Sequence, residues 1–267
     1  MSAWRCFEVE RDGAVAHVRL SRPDELNSMV REFWNELPDI VRELDRGGDV
    51  RAIVLSSTGR HFCAGMDLGV FTAGDTSISA GSGDDEIGRI RARIRQSALM
   101  LQESFTAFER ARMPVLAADM RYATADAFFV IQEINIGMTA DVGTLQRLPK
   151  LIPDGVAREL AYTGRRMGAL EAASVGLVNR VFDTHEEMLI EVTAIAHEIA
   201  AKSPLAVWGS KEMLLYSRDH SVADGLDHIA TWQTGMFQPS DMVESFTAKA
   251  EGREPSFPDL LPVPEEF

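Results

Sequence analysis

Ala52-Ile53-Val54-Leu55 is an unbroken apolar run bounded by polar residues, and it is followed closely by His61-Phe62-Cys63-Ala64-Gly65-Met66-Asp67-Leu68. A short continuous apolar run buries both of its faces, as a strand inside a sheet does. Upstream, Ala14 to Leu20 alternates apolar and polar residues and reads as a second strand. Between them, Met29 to Arg46 has a helical pattern, with Pro38 set to kink it and Gly47-Gly48 to end it. Strand, helix, strand at this spacing predicts an α/β core.

Working outward, Gly74 to Gly88 is rich in Gly, Ser and Asp and reads as a mobile surface loop. Ile90, Ile94, Leu101, Phe105 and Phe108 then recur at helical spacing, predicting an amphipathic helix from Arg89 to Arg110. Pro114 stops it, and Val115 to Ala118 begins another buried strand. The last third is helical. Thr184-His185-Glu186-Glu187 is a capping box, Ser203-Pro204 is an N-cap with proline at the first helical position, and Ser221 caps a helix carrying Ile229, Trp232 and Met236. The chain is thus expected to divide into an α/β core, residues 1–200, and a helical C-terminal region, residues 201–267.

A chain of 267 residues that is 45% hydrophobic and 25% charged can bury a large core. The net charge of −14 speaks against a nucleic-acid surface, which needs clustered Lys and Arg. It leaves room for an anionic ligand held by a few local basic groups or helix N-termini. Two cysteines, Cys6 and Cys63, make neither a disulfide framework nor a metal knuckle. No apolar run approaches the roughly 20 residues of a bilayer span. The N-terminal Met1-Ser2-Ala3-Trp4-Arg5 has no leader pattern and Pro264-Glu265-Glu266-Phe267 is no peroxisomal address, so the expected compartment is the cytoplasm. GxSxG, P-loop, GxGxxG and HExxH motifs are absent, and the six histidines are scattered, which speaks against a metal site.

Two segments carry candidate chemistry. In His61–Leu68, a small-Gly-x-Asp turn after a strand lets the backbone approach a ligand and aim an N–H at it, as a developing oxyanion requires. The other reading is an ordinary turn with Asp67 capping the next helix. Cys63 lies beside this turn with nothing nearby to activate it, and reads as a small packed residue. The second segment runs from Ile131 to Pro149 and sets two carboxylates, Glu133 and Asp141, among apolar residues. Apolar surroundings favour the neutral form of a carboxyl group and suit proton exchange. The alternative is that Asp141 caps the helix carrying Thr144 to Leu148 while Glu133 sits on a strand rim.

Taken in order, Phe62-Cys63-Ala64-Gly65-Met66-Asp67-Leu68, Gly143-Thr144-Leu145-Gln146-Arg147-Leu148-Pro149 and Ser174-Val175-Gly176-Leu177-Val178-Asn179-Arg180-Val181 resemble the crotonase, or enoyl-CoA hydratase/isomerase, superfamily. Within it, Glu133 to Asp141 and Lys211-Glu212-Met213-Leu214-Leu215-Tyr216-Ser217-Arg218-Asp219-His220-Ser221 resemble the dienoyl-CoA isomerases. The resemblance implies a spiral of ββα units with a helical region used to form a homotrimer or homohexamer. It also implies an acyl-CoA thioester substrate and no metal or redox cofactor. Ala64, Gly65, Met66, Asp67 and Leu68 would line the thioester, with the Met66 N–H on its carbonyl. Glu133 and Asp141 would move protons in a step of fatty-acid degradation. An enoyl-CoA hydratase, with Glu133 activating water, and a non-catalytic acyl-CoA-binding homologue are the alternatives.

The resemblance breaks at one point. After Met113-Pro114-Val115-Leu116-Ala117-Ala118 it implies a Gly-rich turn and a buried helix before Asp119-Met120-Arg121-Tyr122; here Ala118 joins Asp119 directly, a shortfall of roughly fifteen residues that no loop variation covers. That segment would supply a second oxyanion N–H and a third acidic residue. Its loss puts activity in question, whether it is a genuine deletion or a gap in the chain as read.

Overall fold

Period-two alternation in β2 (Val15–Leu20) sends its side chains to two different cores, and the rest of the sheet is built on it. The computed structural model describes residues 4–67, 69–72 and 86–264. β1 (Phe7–Asp12) pairs antiparallel with β2 across a turn at Gly13, where φ is +57°. β3 (Ala52–Ser57) runs parallel to β2, and β4 (Val115–Leu116) runs parallel to β3, giving the order β1-β2-β3-β4. β3 is buried on both faces, as its apolar run requires. Ile53 joins one cluster with Ala16, Val18 and Leu20, while Ala52 and Val54 join another with Val15 and Leu116.

α1 (Arg31–Gly47) lays Phe33, Trp34, Leu37, Ile40, Val41 and Leu44 on the first face, an i, i+3/i+4 stripe. It accommodates the buried Pro38 and ends at Gly48, where φ is +77°. α2 (Gly69–Thr72) is a single turn. α3 (Ile87–Arg110) packs beside α1 through Ala107 and Phe108 and starts two residues earlier than its apolar period predicts. Of the predicted loop 74–88, residues 74–85 lie outside the described residues.

A second core gathers Ala123, Ile131, Ala140, Leu160, Met167, Ala172 and Leu177. Around it, β5 (Tyr122–Thr124) pairs parallel with β8 (Arg180–Phe182), and β6 (Phe128–Phe129) antiparallel with β7 (Met167–Gly168). α4 (Thr144–Arg147), α5 (Asp154–Thr163) and α6 (Ala169–Ser174) complete this layer. α7 (His185–Ala200) covers the other face of the main sheet with Val192, Ala196 and Ala200. Its N-cap is Thr184, whose hydroxyl accepts the Glu187 N–H at 3.1 Å. The predicted caps Ser203 and Ser221 head α8 (Pro204–Asp219) and α9 (Val222–Met236), and α10 (Pro239–Glu251) follows. Beyond α10 the chain returns to the first core: Asp259 pairs with Arg51 at 2.7 Å, and Leu260 N–H reaches Gly48 O at 3.2 Å.

The strand predicted from Val115 to Ala118 is half that length. Only Val115 and Leu116 pair with β3, after which the chain reverses within a few residues. The Ala118 and Asp119 N–H groups both donate to Val115 O, at 3.1 and 2.8 Å, and Ala117 N–H donates to Met120 O at 2.7 Å. Ala117 sits at φ +118°, where its Cβ crowds the backbone at a cost of about 1–3 kcal/mol. A tight, strained turn therefore stands where the resemblance implies a helix.

What holds this turn is a buried lysine. Asp119 Oδ2 accepts the Val115 N–H at 2.7 Å and lies 3.0 Å from the Lys211 ammonium on α8. Lys211 also donates to Phe108 O at 2.6 Å and Met113 O at 2.9 Å, so its three donors are all used inside the protein. Lys211→Met would leave two carbonyls and a carboxylate without their donor. Breaking such a pair costs about 3 kcal/mol, and thermal unfolding should show a midpoint lowered by roughly 6–12 °C. An unchanged midpoint would show that the turn stands without the lysine.

Candidate active site

The His61–Leu68 turn is fastened to the segment that enters α1. Ala64 N–H donates to Leu26 O at 3.0 Å, Met29 N–H to Gly65 O at 2.8 Å, and Asp67 N–H to Met29 O at 3.1 Å. Met29 and Met66 form a parallel bridge, which turns the Met66 N–H away from Met29. Among the described residues no acceptor meets that N–H. Gly65, at φ +92°, has nothing within 4 Å of where a side chain would begin, so the backbone there is open to a ligand. Leu68, the fifth residue expected to line the thioester, lies outside the described residues.

Asp67 is a cap. Its Oδ2 accepts from the Ser28 hydroxyl and its Oδ1 from the Gly69 N–H, both at 2.8 Å. These two bonds, the hydroxyl's first, hold its carboxyl below the usual aspartate range. The capping reading of the turn is realised in Asp67, and the Met66 N–H has no acceptor among the described residues. Burial raises the Cys63 thiol, opposed in part by the Gly65 N–H that its Sγ accepts at 3.3 Å. It is a packed side chain on the first core.

Glu133 opens a 3-10 turn, Glu133–Ile136, closed by Gly137 at φ +77° and by Met138 N–H donating to Glu133 O at 2.9 Å. It is on no strand. Asp141 caps no helix either, because the residue at the N-cap of α4 is Gly143, at φ +109°. The loop between the two acids is pinned to both cores: Ile131 and Ala140 sit in the second, and Val142 packs on the first, where Cys63, Met66 and Ala118 also pack. Asp141 thus sits between a residue buried in the second core, Ala140, and one packed on the first, Val142.

The expectation of apolar seclusion needs correcting. Asp141 is exposed and Glu133 half-buried, while Ile134, Ile136 and Met138 between them are exposed. Among the described residues neither carboxylate makes a hydrogen bond or ion pair, and none joins one to the other.

Sequence reasoning passed over a polar stripe on α3. Gln102, Thr106 and Glu109, at i, i+4 and i+7, share one face of that helix. Gln102 Nε2 donates to Asp141 O at 2.7 Å. Arg147 Nε donates to Glu109 Oε1 at 2.9 Å, and Arg218 donates to the same oxygen at 2.8 Å. Burial raises the Glu109 carboxyl, but the hydrogen bonds from Arg147 and Arg218 outweigh it and hold it below the usual glutamate range. Lys150 pairs with Asp219 while Arg218 pairs with Glu109, so the end of α8 ties the segment after α4 once and α3 once. A hollow of about 830 Å³ lies elsewhere, between α8, α9 and α10. Its lining, including Leu205, Met213, Leu226 and Trp232, brings no pair of acids together and is assigned no chemistry.

Residues 10–260 match the family model described as enoyl-CoA hydratase/isomerase. The peroxisomal Delta(3,5)-Delta(2,4)-dienoyl-CoA isomerase of Arabidopsis thaliana is 39% identical over 97% of this chain and 99% of its own. The mitochondrial Delta(3,5)-Delta(2,4)-dienoyl-CoA isomerase of Homo sapiens is 43% identical over 90% of this chain and 77% of its own. A putative enoyl-CoA hydratase from Streptomyces coelicolor superposes with a TM-score of 0.83 at 27% identity, covering 97% of this chain and 96% of that one. The alignment with the human isomerase is 257 residues long but takes in 90% of 267 residues, about 240, which leaves about 17 positions in all with no counterpart here. The two isomerases are peroxisomal and mitochondrial, which overturns the expected cytoplasmic location; that expectation rested only on the lack of a recognisable address. By the extent of these matches, the chain belongs to the enoyl-CoA hydratase/isomerase family.

Proposed function

We propose that this protein isomerises 3,5-dienoyl-CoA to 2,4-dienoyl-CoA, a step in fatty-acid degradation. The observation that carries the reading is Asp141, an exposed carboxylate without a partner among the described residues, whose carbonyl is held by Gln102 and whose neighbour Val142 packs on the same core as Met66. In a 3,5-dienoyl-CoA the hydrogens on C2 are acidic, lying between the thioester and a double bond. Glu133 removes one as a proton, and the electron pair left behind spreads from the thioester oxygen through C4 to C6. Asp141, entering the step as the carboxylic acid, then gives its proton to C6 and leaves as the carboxylate, and the double bonds settle at C2 and C4. C2 and C6 are too far apart for one short side chain, so two acids divide the work. Proton exchange with solvent resets both, and the exposure of Asp141 leaves that path open.

The oxyanion that develops on the thioester takes a hydrogen bond from the Met66 N–H, with the Ala64-Gly65 backbone close alongside. The exposed apolar Ile134, Ile136 and Met138 offer the acyl chain a surface. Residues 201–267 form the oligomerisation region of a homotrimer or homohexamer. Leu214, Val222, Leu226, Phe237 and Phe246, all exposed on or beside the last three helices, support that assembly because neighbouring copies would cover them. No metal or redox cofactor takes part.

Purified protein mixed with a 3,5-dienoyl-CoA should build up the ultraviolet absorbance of the conjugated 2,4-dienoyl product, and should do so faster than it hydrates a 2-enoyl-CoA. One observation favours a second reading: the Ala117–Asp119 turn replaces the segment that would bring the second oxyanion donor. CoA-ester binding with no dienoyl product would establish the protein as a non-catalytic acyl-CoA binder and refute the isomerase. Faster hydration would make it a hydratase.

A further inference from the structure

We infer that Arg147 is a positioning residue for Asp141: clamped to α3 by Glu109 and Thr106, it fixes the backbone on the C-terminal side of that acid while Gln102 fixes the acid's own carbonyl. The inference rests on the proposed role of Asp141 in protonating C6. Arg147 reaches α3 through a fork, Nε to Glu109 Oε1 at 2.9 Å and one terminal nitrogen to Glu109 Oε2 at 3.3 Å. That terminal nitrogen also donates to the Thr106 hydroxyl at 3.1 Å. The other terminal nitrogen lies so close to Gly143 that a Cβ there would fall 1.8 Å from it. Gly143 is doubly constrained, by its φ of +109° and by the guanidinium on its face. Arg147 N–H closes the small loop on Gly143 O at 3.1 Å.

Asp141 is therefore held on two sides. Its carbonyl is tied to Gln102 at 2.7 Å, and two residues on, the backbone is wedged under Arg147. Its carboxylate makes no bond of its own among the described residues, so the aim of the side chain depends on where the backbone sits. The fork matters more than the charge, because lysine at 147 could not engage both Glu109 oxygens and Gly143 together. Glu133 has no part in this clamp; its turn is held by Met138 and the second core.

That independence supplies the test. In deuterium oxide, Glu133 alone can take a proton from C2 and return a deuteron to it, whereas 2,4-dienoyl product also needs Asp141. Arg147→Lys should lower kcat for isomerisation by about 10- to 100-fold, the scale of an ångström of misplacement, with KM within about twofold. C2 deuterium exchange should continue near the wild-type rate. Gln102→Ala, at a half-buried position, should give the same pattern with a loss of several-fold and serves if Arg147→Lys does not fold. Loss of exchange and isomerisation together would make the clamp a general structural element and overturn the inference, as would unchanged kcat in both variants. Asp141→Asn is the control: normal turnover in that variant would instead overturn the proposed role of Asp141 itself.

Discussion

Asp141→Asn is expected to lower 2,4-dienoyl-CoA formation by about 100- to 10,000-fold, the usual worth of a positioned acid, while CoA-ester affinity stays close to wild type. Asparagine has the shape of aspartate but no proton to give at C6. The variant is informative because so little else rests on the side chain. The Asp141 carboxylate is exposed and has no partner among the described residues, it caps no helix, and the bond that ties this residue to α3 uses its backbone carbonyl. The melting temperature should therefore move by no more than about 2 °C, as for an ordinary surface change. A steady-state assay paired with a thermal melt separates the outcomes. Near-normal turnover refutes the role, and a large fall in melting temperature shows that Asp141 is structural.

Much of this arrangement was legible in the sequence wherever a pattern had a single physical meaning. The apolar run Ala52–Leu55 suits a strand buried on both faces, and β3 is one. Ser203-Pro204 and Ser221 act locally, through a side-chain oxygen and the next turn's N–H, so their caps appear as read. The Ala64–Asp67 turn was harder because one motif allowed two readings. Asp67 took the structural one and the Met66 N–H was left without an acceptor among the described residues, a division set by the bridge to Met29, 37 positions earlier in the chain. The clamp on Asp141 was missed for a related reason. Helical spacing shows that Gln102, Thr106 and Glu109 share a face, but what that face meets depends on a segment some forty residues away. Lys211 gave no local sign of burial; its three partners come from α3 and from the turns on either side of β4. The environment of the two acids was misjudged because apolar neighbours in sequence need not cover a side chain in space: Ile134, Ile136 and Met138 point to solvent themselves.

The largest gain in activity should come from restoring what the chain lacks. Inserting the Gly-rich turn and helix that the resemblance implies between Ala118 and Asp119 is expected to raise kcat by about 100- to 1,000-fold, the worth of one preorganised oxyanion donor added beside the proposed one at Met66. The junction can accept it. Ala117 to Met120 forms a reversal at the surface of the first core, and opening it releases the strain of Ala117 at φ +118°. Asp119 and Lys211 must stay paired across the insertion, since Lys211 also holds the end of α3 through Phe108 O. KM should change far less than kcat, because a donor aimed at the oxyanion binds the charge that develops in the dienolate more than the ground-state carbonyl. Combining the insertion with Asp141→Asn locates the gain. If the added donor stabilises the same dienolate that Asp141 quenches at C6, the insertion raises C2 deuterium exchange in the double variant but yields no 2,4-dienoyl product. An insertion that folds, binds the CoA ester and leaves kcat unchanged would mean that the thioester carbonyl does not lie at Met66, and the site as drawn would have to be abandoned.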